Sequence, residues 1–90
     1  MNLSNNGIND EEVKHVSDIL KNENWKLSNF NLFHNNIKDE GAKRLCDALR
    51  NENCQLTHLN LACNNISNDG VKHLCNALEN TKLWTLLPIT

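Results

Sequence analysis

The sequence predicts an α/β solenoid, in which short strand–turn–helix units stack one upon the next. Two observations support this fold class. The pattern LxxLxLxxNxI at residues 56–66 has a copy at residues 27–37, with phenylalanine as its second leucine, and a clipped copy at residues 3–8. Equivalent positions lie 29 residues apart, and a fixed period of this length indicates a stacked repeat. Each copy also precedes a stretch whose apolar residues recur at helical spacing.

The first half of each unit is typical of a short strand. Phe30 and Leu32 alternate with polar residues at the period of two that a strand requires, so we predict a strand from Phe30 to Leu32. In the following unit Leu59 and Leu61 occupy the same inward positions. Polar residues then turn the chain back toward the core.

The turn after each strand contains a residue type that tolerates left-handed backbone. Gly7, Asn36 and Asn65 occupy equivalent positions in this turn. Glycine and asparagine adopt a positive φ at lower cost than other residues. We therefore expect a positive φ at these three positions.

The second half of each unit is predicted to be a helix. The first helix runs from about Glu11 to Asn22, with acidic residues in its first turn. Its apolar stripe consists of Val13, Val16, Ile19 and Leu20. The later helices repeat this stripe, and it places Cys46 and Cys75 at one position, so both are predicted to be small core residues.

These patterns divide one domain, residues 1–90, into units at about 1–24, 25–53, 54–82 and a partial unit at 83–90. Pro88 falls where the next leucine belongs, so the stack is predicted to stop near Leu87. Stacked parallel strands lie about 4.8 Å apart, whereas packed helices need roughly 8–10 Å between their axes. This difference predicts a curved stack with strands on the concave side and helices on the convex side.

The composition argues against several classes of partner. The chain has 9 basic and 11 acidic residues and a net charge of -2, so no cluster of positive charge is expected for nucleic acid or an anionic membrane. The N-terminal residues show no basic and apolar regions of a signal peptide. No apolar run approaches the roughly 20 residues of a transmembrane helix.

The cysteines lack the CxxC spacing of a metal or redox motif and are predicted to be free thiols. Cys54 and Trp25 share one repeat position and are expected to cover the edge of the core. His34 and Cys63 share another, and adjacent Cys and His side chains can form a nucleophile or a metal site. No third ligand or orienting group accompanies them, so we predict no enzyme activity, no metal and no cofactor.

The repeats resemble leucine-rich repeats of the ribonuclease-inhibitor type. That type pairs LxxLxLxxN with a helix of the form (D/E)-G-A/V-xx-L-xx-A-L, which residues 39–49 and 69–78 match. The resemblance implies a right-handed β–α horseshoe segment. Within the type the chain looks most like the repeats of NOD-like receptors, which implies a cytoplasmic location and binding of ligands or partner domains. Ran GTPase-activating proteins, tropomodulins and some bacterial effectors share the repeat type.

Two departures from the pattern concern the ends of the repeats. Glu12 stands in the first unit where Gly41 and Gly70 stand in the later units. The last unit lacks its helix, and no polar capping segment is recognisable. Apolar ends that are not covered favour self-association or the packing of further repeats.

The resemblance also assigns a structural role to Asn6, Asn35 and Asn64, which share one repeat position. In the family these asparagines point inward and bind backbone groups of turns in the same and neighbouring units. The assignment agrees with the requirement that buried backbone groups find hydrogen-bond partners.

Outward strand positions form the candidate partner-binding face. None of its members carries a formal charge when histidine is neutral: Asn29, Asn31, Phe33, His34, His58, Asn60 and Cys63. One interpretation is a solvated face whose asparagines bond to one another. The other is a binding surface with Phe33 as an apolar anchor. A strongly basic partner is disfavoured because the face lacks carboxylates.

The sequence therefore predicts a non-catalytic protein–protein interaction module that binds a partner on its concave strand face. The partner is a protein, whose identity the sequence does not indicate, rather than nucleic acid or membrane. The alternative is a fragment of a larger innate immune sensor or regulator of the NOD-like receptor type, without independent function. Its ends, near residues 1–3 and 83–89, would then be covered by further repeats.

Overall fold

The computed structural model of the protein describes residues 1–78 and, for the backbone alone, residues 85–87. Helices and strands alternate in the order α1 (Asp10–Lys21), β1 (Asn29–Asn31), α2 (Asp39–Leu49), β2 (His58–Asn60), α3 (Asn68–Leu78) and β3 (Thr85–Leu87). The first helix and the first strand are confirmed, and each lies one residue earlier than predicted. Within the predicted partial unit at 83–90, the described part is the backbone of β3; the predicted effect of Pro88 lies outside the described residues.

The strands form one parallel sheet in the order β1-β2-β3. Phe30 lies beside Leu59, and Leu59 lies beside Leu86. The first pair is separated by 29 residues, so the sequence period is the sheet register; the second is separated by 27. A bridge from Asn2 to Asn31 extends the pairing on the other side of β1, in the neighbouring row that joins Asn31 and Asn60. The clipped first copy thus joins the sheet through backbone pairing.

The core lies between the sheet and the helices, which pack α1 on α2 and α2 on α3. Its fully buried large side chains come from equivalent repeat positions: Val13, Phe30, Leu32, Ile37, Leu45, Leu56, Leu59, Leu61 and Leu74. The inward strand positions are therefore confirmed as core, and so is most of the helix stripe in α1 and α2.

Three core predictions are wrong: Cys75 and Leu78 of the helix stripe and Trp25 of the connector are exposed. Cys46 is buried as expected, but Cys75 is exposed at the same repeat position. Helix α2 packs between α1 and α3, whereas α3 has a described helix on one side only, so its stripe is less completely covered. Cys54 is buried, whereas Trp25 remains 46% exposed in the connector before β1.

The start of α1 is capped by residues of its own unit, whereas α2 and α3 are bound at their start by an aspartate of the preceding unit. In α1, Asn9 and Glu12 form a capping box, in which each side chain accepts from the other residue's backbone N–H. Lys38, the N-cap residue of α2, gives no side-chain cap, and its N–H instead donates to the Asp10 carboxylate at 2.7 Å. Ser67, before α3, donates its N–H to Asp39 at 2.7 Å in the same way. An aspartate of one unit therefore binds the start of the next helix.

The glycines of α2 and α3 make room for these aspartates. A Cβ on Gly70 would lie 2.6 Å from the Asp39 carboxylate and against Ile66, and one on Gly41 would collide with the Asp10 carboxylate. A Cβ atom at such a short distance would force the neighbouring side chain to move. The first unit has Glu12 at this position, where no carboxylate of a preceding described unit has to fit.

The turns are held by side-chain amides that reach between units. Asn64 donates from Nδ2 to the carbonyl oxygens of Leu32 and Leu61, both at 3.0 Å, and its Oδ1 accepts from the Ile37 N–H at 3.0 Å. Asn35 repeats this arrangement one unit earlier, with oxygen and nitrogen both bonded to the first unit. Asn6 is exposed, and its side-chain amide donates to the Ser4 carbonyl two residues away, so it departs from the inward role expected of it.

The predicted site of positive φ is correct at Gly7 and wrong at Asn36 and Asn65. The N–H groups of Asn36 and Asn65 donate to the carbonyls of Ile8 and Ile37 in the preceding unit, and Asn36 also forms a parallel bridge with Asn9. The left-handed residue comes earlier in the turn, immediately before the structural asparagine. The residues concerned are Asn5 (φ 58°), His34 (φ 55°) and Cys63 (φ 59°).

Replacing Asn64 by alanine should lower the free energy of unfolding by about 2–3 kcal/mol, because several buried backbone groups lose their partner. The matched control is Asn6→Ala, at the same repeat position but exposed, which should cost less than about 0.5 kcal/mol. Urea denaturation followed by circular dichroism measures both. Equal losses in the two variants would contradict the structural role of the buried amide.

A second prediction concerns pH. The Ser67 hydroxyl and then the Ser67 N–H, bonded to the carboxylate, hold the pKa of Asp39 below its ordinary value. A depressed folded-state pKa stabilises the fold above about pH 4, and this contribution is lost as the pH falls toward the folded pKa. Asp39→Asn should therefore flatten the loss of stability between about pH 5 and pH 3. Asp69→Asn, which removes an exposed charge in the same region, is the control in parallel acid titrations of the melting temperature.

Candidate partner-binding face

Outward residues of the sheet and of the bends that follow it form one continuous face. Asn29 and Asn31 flank the buried Phe30 in β1, and His58 and Asn60 flank the buried Leu59 in β2. Successive side chains of a strand point to opposite sides, so these four lie opposite the core. Together with Phe33, His34 and Cys63 just beyond the strands, they are called the strand face below.

The register of the sheet arranges these residues in rows. Asn29 lies beside His58, and Asn31 lies beside Asn60. Asn2, bridged to Asn31, extends the second row to three asparagines. Neighbouring members are one strand apart, about 4.8 Å.

Each asparagine of this row is tied to its own strand end. The Oδ1 atom of Asn31 accepts from the N–H of Phe33 at 2.9 Å, and that of Asn60 accepts from the N–H of Ala62 at 3.0 Å. Asn2 makes the equivalent bond to its own unit. The asparagines of the row thus bond to the local backbone and not to one another, as one interpretation had expected. The sequence feature that indicates this bond is an asparagine that recurs two residues before each bend.

The bend after each strand directs side chains to the surface. Phe33 is 37% exposed, and its ring centroid lies 6.1 Å from that of His34, with the planes tilted by 43°. The left-handed backbone of His34 is fixed by its N–H, which donates to the Ala62 carbonyl at 2.9 Å. His34 Nδ1 contacts the side-chain oxygen of Asn5 in the neighbouring unit. Exposed aromatic and imidazole groups therefore lie beside the row, next to Asn31.

Histidine and cysteine are present on the strand face without the companions that a metal centre requires. Cys63 is an exposed free thiol at the repeat position of His34. His58 Nδ1 pairs with the hydroxyl of Thr57 at 2.8 Å. Over residues 1–78, no group of three or more His, Cys, Asp or Glu side chains could hold a metal ion.

Charge is distributed unequally between the two sides of the molecule. The seven residues of the strand face include no Asp, Glu, Lys or Arg. The described ion pairs all lie along helices α1 and α2: Lys14–Glu11, Lys21–Asp18, Arg44–Glu40 and Arg50–Asp47. They are exposed pairs of adjacent turns, which contribute little to stability. The strand side is neutral, and the helix side alternates in sign.

A shallow cleft lies between α1 and α2 on the helix side. Its volume is about 180 Å³, and basic and acidic residues line it together, among them Lys14, Asp18, Arg44 and Asp47. The alternation of sign gives it no net preference for an anion or a cation.

Comparisons with known proteins agree with the repeat pattern. No helix in the described part of the chain has the length and apolar character needed to cross a membrane. A search of curated proteins gives no significant match. The family described as Leucine Rich repeat matches residues 24–46 and 52–75, more than half of the chain, and these matches include β1 with most of α2 and β2 with most of α3. The chain belongs to the leucine-rich repeat family.

Proposed function

We propose that this protein is a non-catalytic binding module that recognises another protein through the strand face. Leucine-rich repeats are in general protein–protein interaction modules, and stacked repeats present extended surfaces for this purpose. The observation that supports this face is its ordered, uncharged row of asparagines beside the exposed ring of Phe33.

The hydrogen bonds within the strand face favour binding because they fix side chains before a partner arrives. The amides of Asn31 and Asn60 are each tied to backbone two residues ahead, and His34 contacts Asn5. Ordering a flexible side chain at an interface costs about 0.5–1.5 kcal/mol, so groups that are already ordered lose less on association. The helix side has long, exposed lysine and arginine side chains that would have to be ordered.

Phe33 is the proposed anchor of the interface. Aromatic residues supply much of the energy at protein interfaces when they enter a pocket of the partner. A phenylalanine exposed beside a neutral row is suited to this, because the neighbouring asparagines can bond to polar groups around such a pocket. Strongly basic partners remain disfavoured, since the face offers no carboxylate.

The finer assignments belong to the same proposal. We place the repeats in the ribonuclease-inhibitor type, with a curved solenoid whose concave side is the strand face, and closest in character to NOD-like receptor repeats. The helix motifs at 39–49 and 69–78 support the type. A cytoplasmic location is consistent with the four free cysteines. Nucleic acid and membrane are less suitable partners because basic and acidic residues alternate along the described helices.

One observation favours the alternative that the chain is a segment of a larger repeat receptor. Leu78 is 39% exposed and Cys75 is exposed, although their repeat equivalents Leu49 and Cys46 are buried. A further unit packed on α3 would bury both, and self-association through this end would do the same. Sedimentation combined with thermal melting separates these states: a sharp melt that is independent of concentration favours an autonomous monomer over a segment.

The binding proposal predicts which substitutions weaken the binding of a partner protein. The partner is first recovered from a cell lysate with the intact protein. Phe33→Ala, Asn31→Ala and Asn60→Ala should each reduce affinity, with Phe33→Ala lowering it at least tenfold, which corresponds to about 1.4 kcal/mol. Calorimetry with the recovered partner measures the change.

Trp25→Ala is the matched control, because Trp25 is an exposed aromatic residue in a connector rather than on the strand face. It should leave affinity unchanged. Unchanged affinity in all three strand-face variants, with circular dichroism spectra like that of the parent protein, would refute the assignment of the binding face.

A further inference from the structure

The hydrogen bonds of the asparagine row determine which end of each amide faces a partner. A backbone N–H can only donate, so the side-chain atom that meets Phe33 N and Ala62 N has to be the amide oxygen. The oxygens of Asn31 and Asn60 are therefore occupied, and their NH₂ groups make no hydrogen bond to any described residue. Two amides that are chemically neutral thus present donors.

The donors form a row with a defined spacing. Asn31 and Asn60 are directly paired across β1 and β2, so their NH₂ groups recur about one strand spacing, 4.8 Å, apart. Asn2, with its oxygen bonded to Ser4 in the same manner, adds a third donor on the same line. No carboxylate on the strand face competes for these donors.

We propose that the strand face recognises an acidic α-helical segment, whose carboxylates accept hydrogen bonds from Asn31 and Asn60; this rests on the binding function proposed above. Carboxylates are the stronger acceptors, because hydrogen bonds to a charged group are about twice as strong as those between neutral groups. The surface holds no like charge to repel them.

Spacing selects a helix over an extended segment. Side chains at i and i+4 of a helix lie about 5–6 Å apart between their Cβ atoms, and successive turns average about 5.4 Å, close to the strand spacing of about 4.8 Å. Side chains on one side of an extended strand recur at roughly 6.6 Å, which falls out of step with the row after one position. The helix therefore lies across the strands, along the asparagine row.

The same orientation places an apolar side chain of the helix against Phe33. Phe33 follows Asn31 by two residues and is exposed beside the row. A residue at i+3 neighbours the carboxylate pair on one side of the helix surface. A leucine there would cover the Phe33 ring while the carboxylates meet the amides.

The test uses the intact protein and a synthetic probe, a lactam-stapled alanine-based helix with glutamates at i and i+4 and leucine at i+3. Matched peptides replace the glutamates by glutamine or by lysine. In ¹H–¹⁵N spectra the side-chain NH₂ signals of Asn31 and Asn60 should shift with the glutamate peptide. Its affinity should exceed that of the glutamine peptide at least fivefold, and the lysine peptide should not bind.

The double variant Asn31→Asp/Asn60→Asp keeps an oxygen for each backbone N–H and removes both donors. This variant should no longer bind the glutamate peptide, and it should bind the lysine peptide. The control is Asn22→Asp/Asn51→Asp, which makes the same change at two connector asparagines whose oxygens accept the same i+2 bond, and it should bind the glutamate peptide like the parent.

The outcomes separate the two proposals. Equal affinity for glutamate and glutamine peptides, with shifts at Asn31 and Asn60, overturns carboxylate recognition and leaves the strand face as a binding surface. No shift with the glutamate peptide up to millimolar concentration also overturns it, while the binding function stands or falls on the Phe33 and Asn31 variants with the recovered partner.

Discussion

Buried turn backbone needs hydrogen-bond partners, and side-chain amides supply them here. Asn64 binds two carbonyls with its nitrogen and the Ile37 N–H with its oxygen, so one side chain satisfies groups in its own unit and in the preceding one. The turn can therefore enter the interior without leaving orphaned polar atoms. Because the residue before this asparagine has to adopt left-handed backbone to present it, the same requirement positions His34 and Cys63 on the surface.

A second contact fixes how successive units stack. Asp10 and Asp39 each bind the backbone at the start of the next helix, and Gly41 and Gly70 leave the space that these carboxylates occupy. The pair works in one direction, from the carboxylate of one unit to the glycine of the next. Sheet register, helix start and glycine position are consequently consistent with one another, which is the condition for a sequence to specify a single stacking arrangement.

The sequence was sufficient for features that depend on the repeat alone. Phe30 and Leu59 in the strands, and Leu45 and Leu74 in the helices, are buried because a 29-residue period brings equivalent positions together. Predictions failed where burial depends on what packs outside the unit: Cys75 is exposed though Cys46 is buried, and Trp25 projects from its connector. The position of the positive φ also could not be derived from residue preference, since it falls at one turn position whether the residue there is Asn5, His34 or Cys63.

The candidate face shows the same division between composition and geometry. Its members could be chosen from strand alternation, but the chemistry of an asparagine depends on which of its atoms is already bonded. Asn64 is consumed entirely within the fold, whereas Asn31 is bonded only through its oxygen. A surface without formal charge is therefore polarised by its own hydrogen bonds. Asn31 and Asn60 present their NH₂ groups because backbone N–H groups just beyond the strands bind their side-chain oxygens.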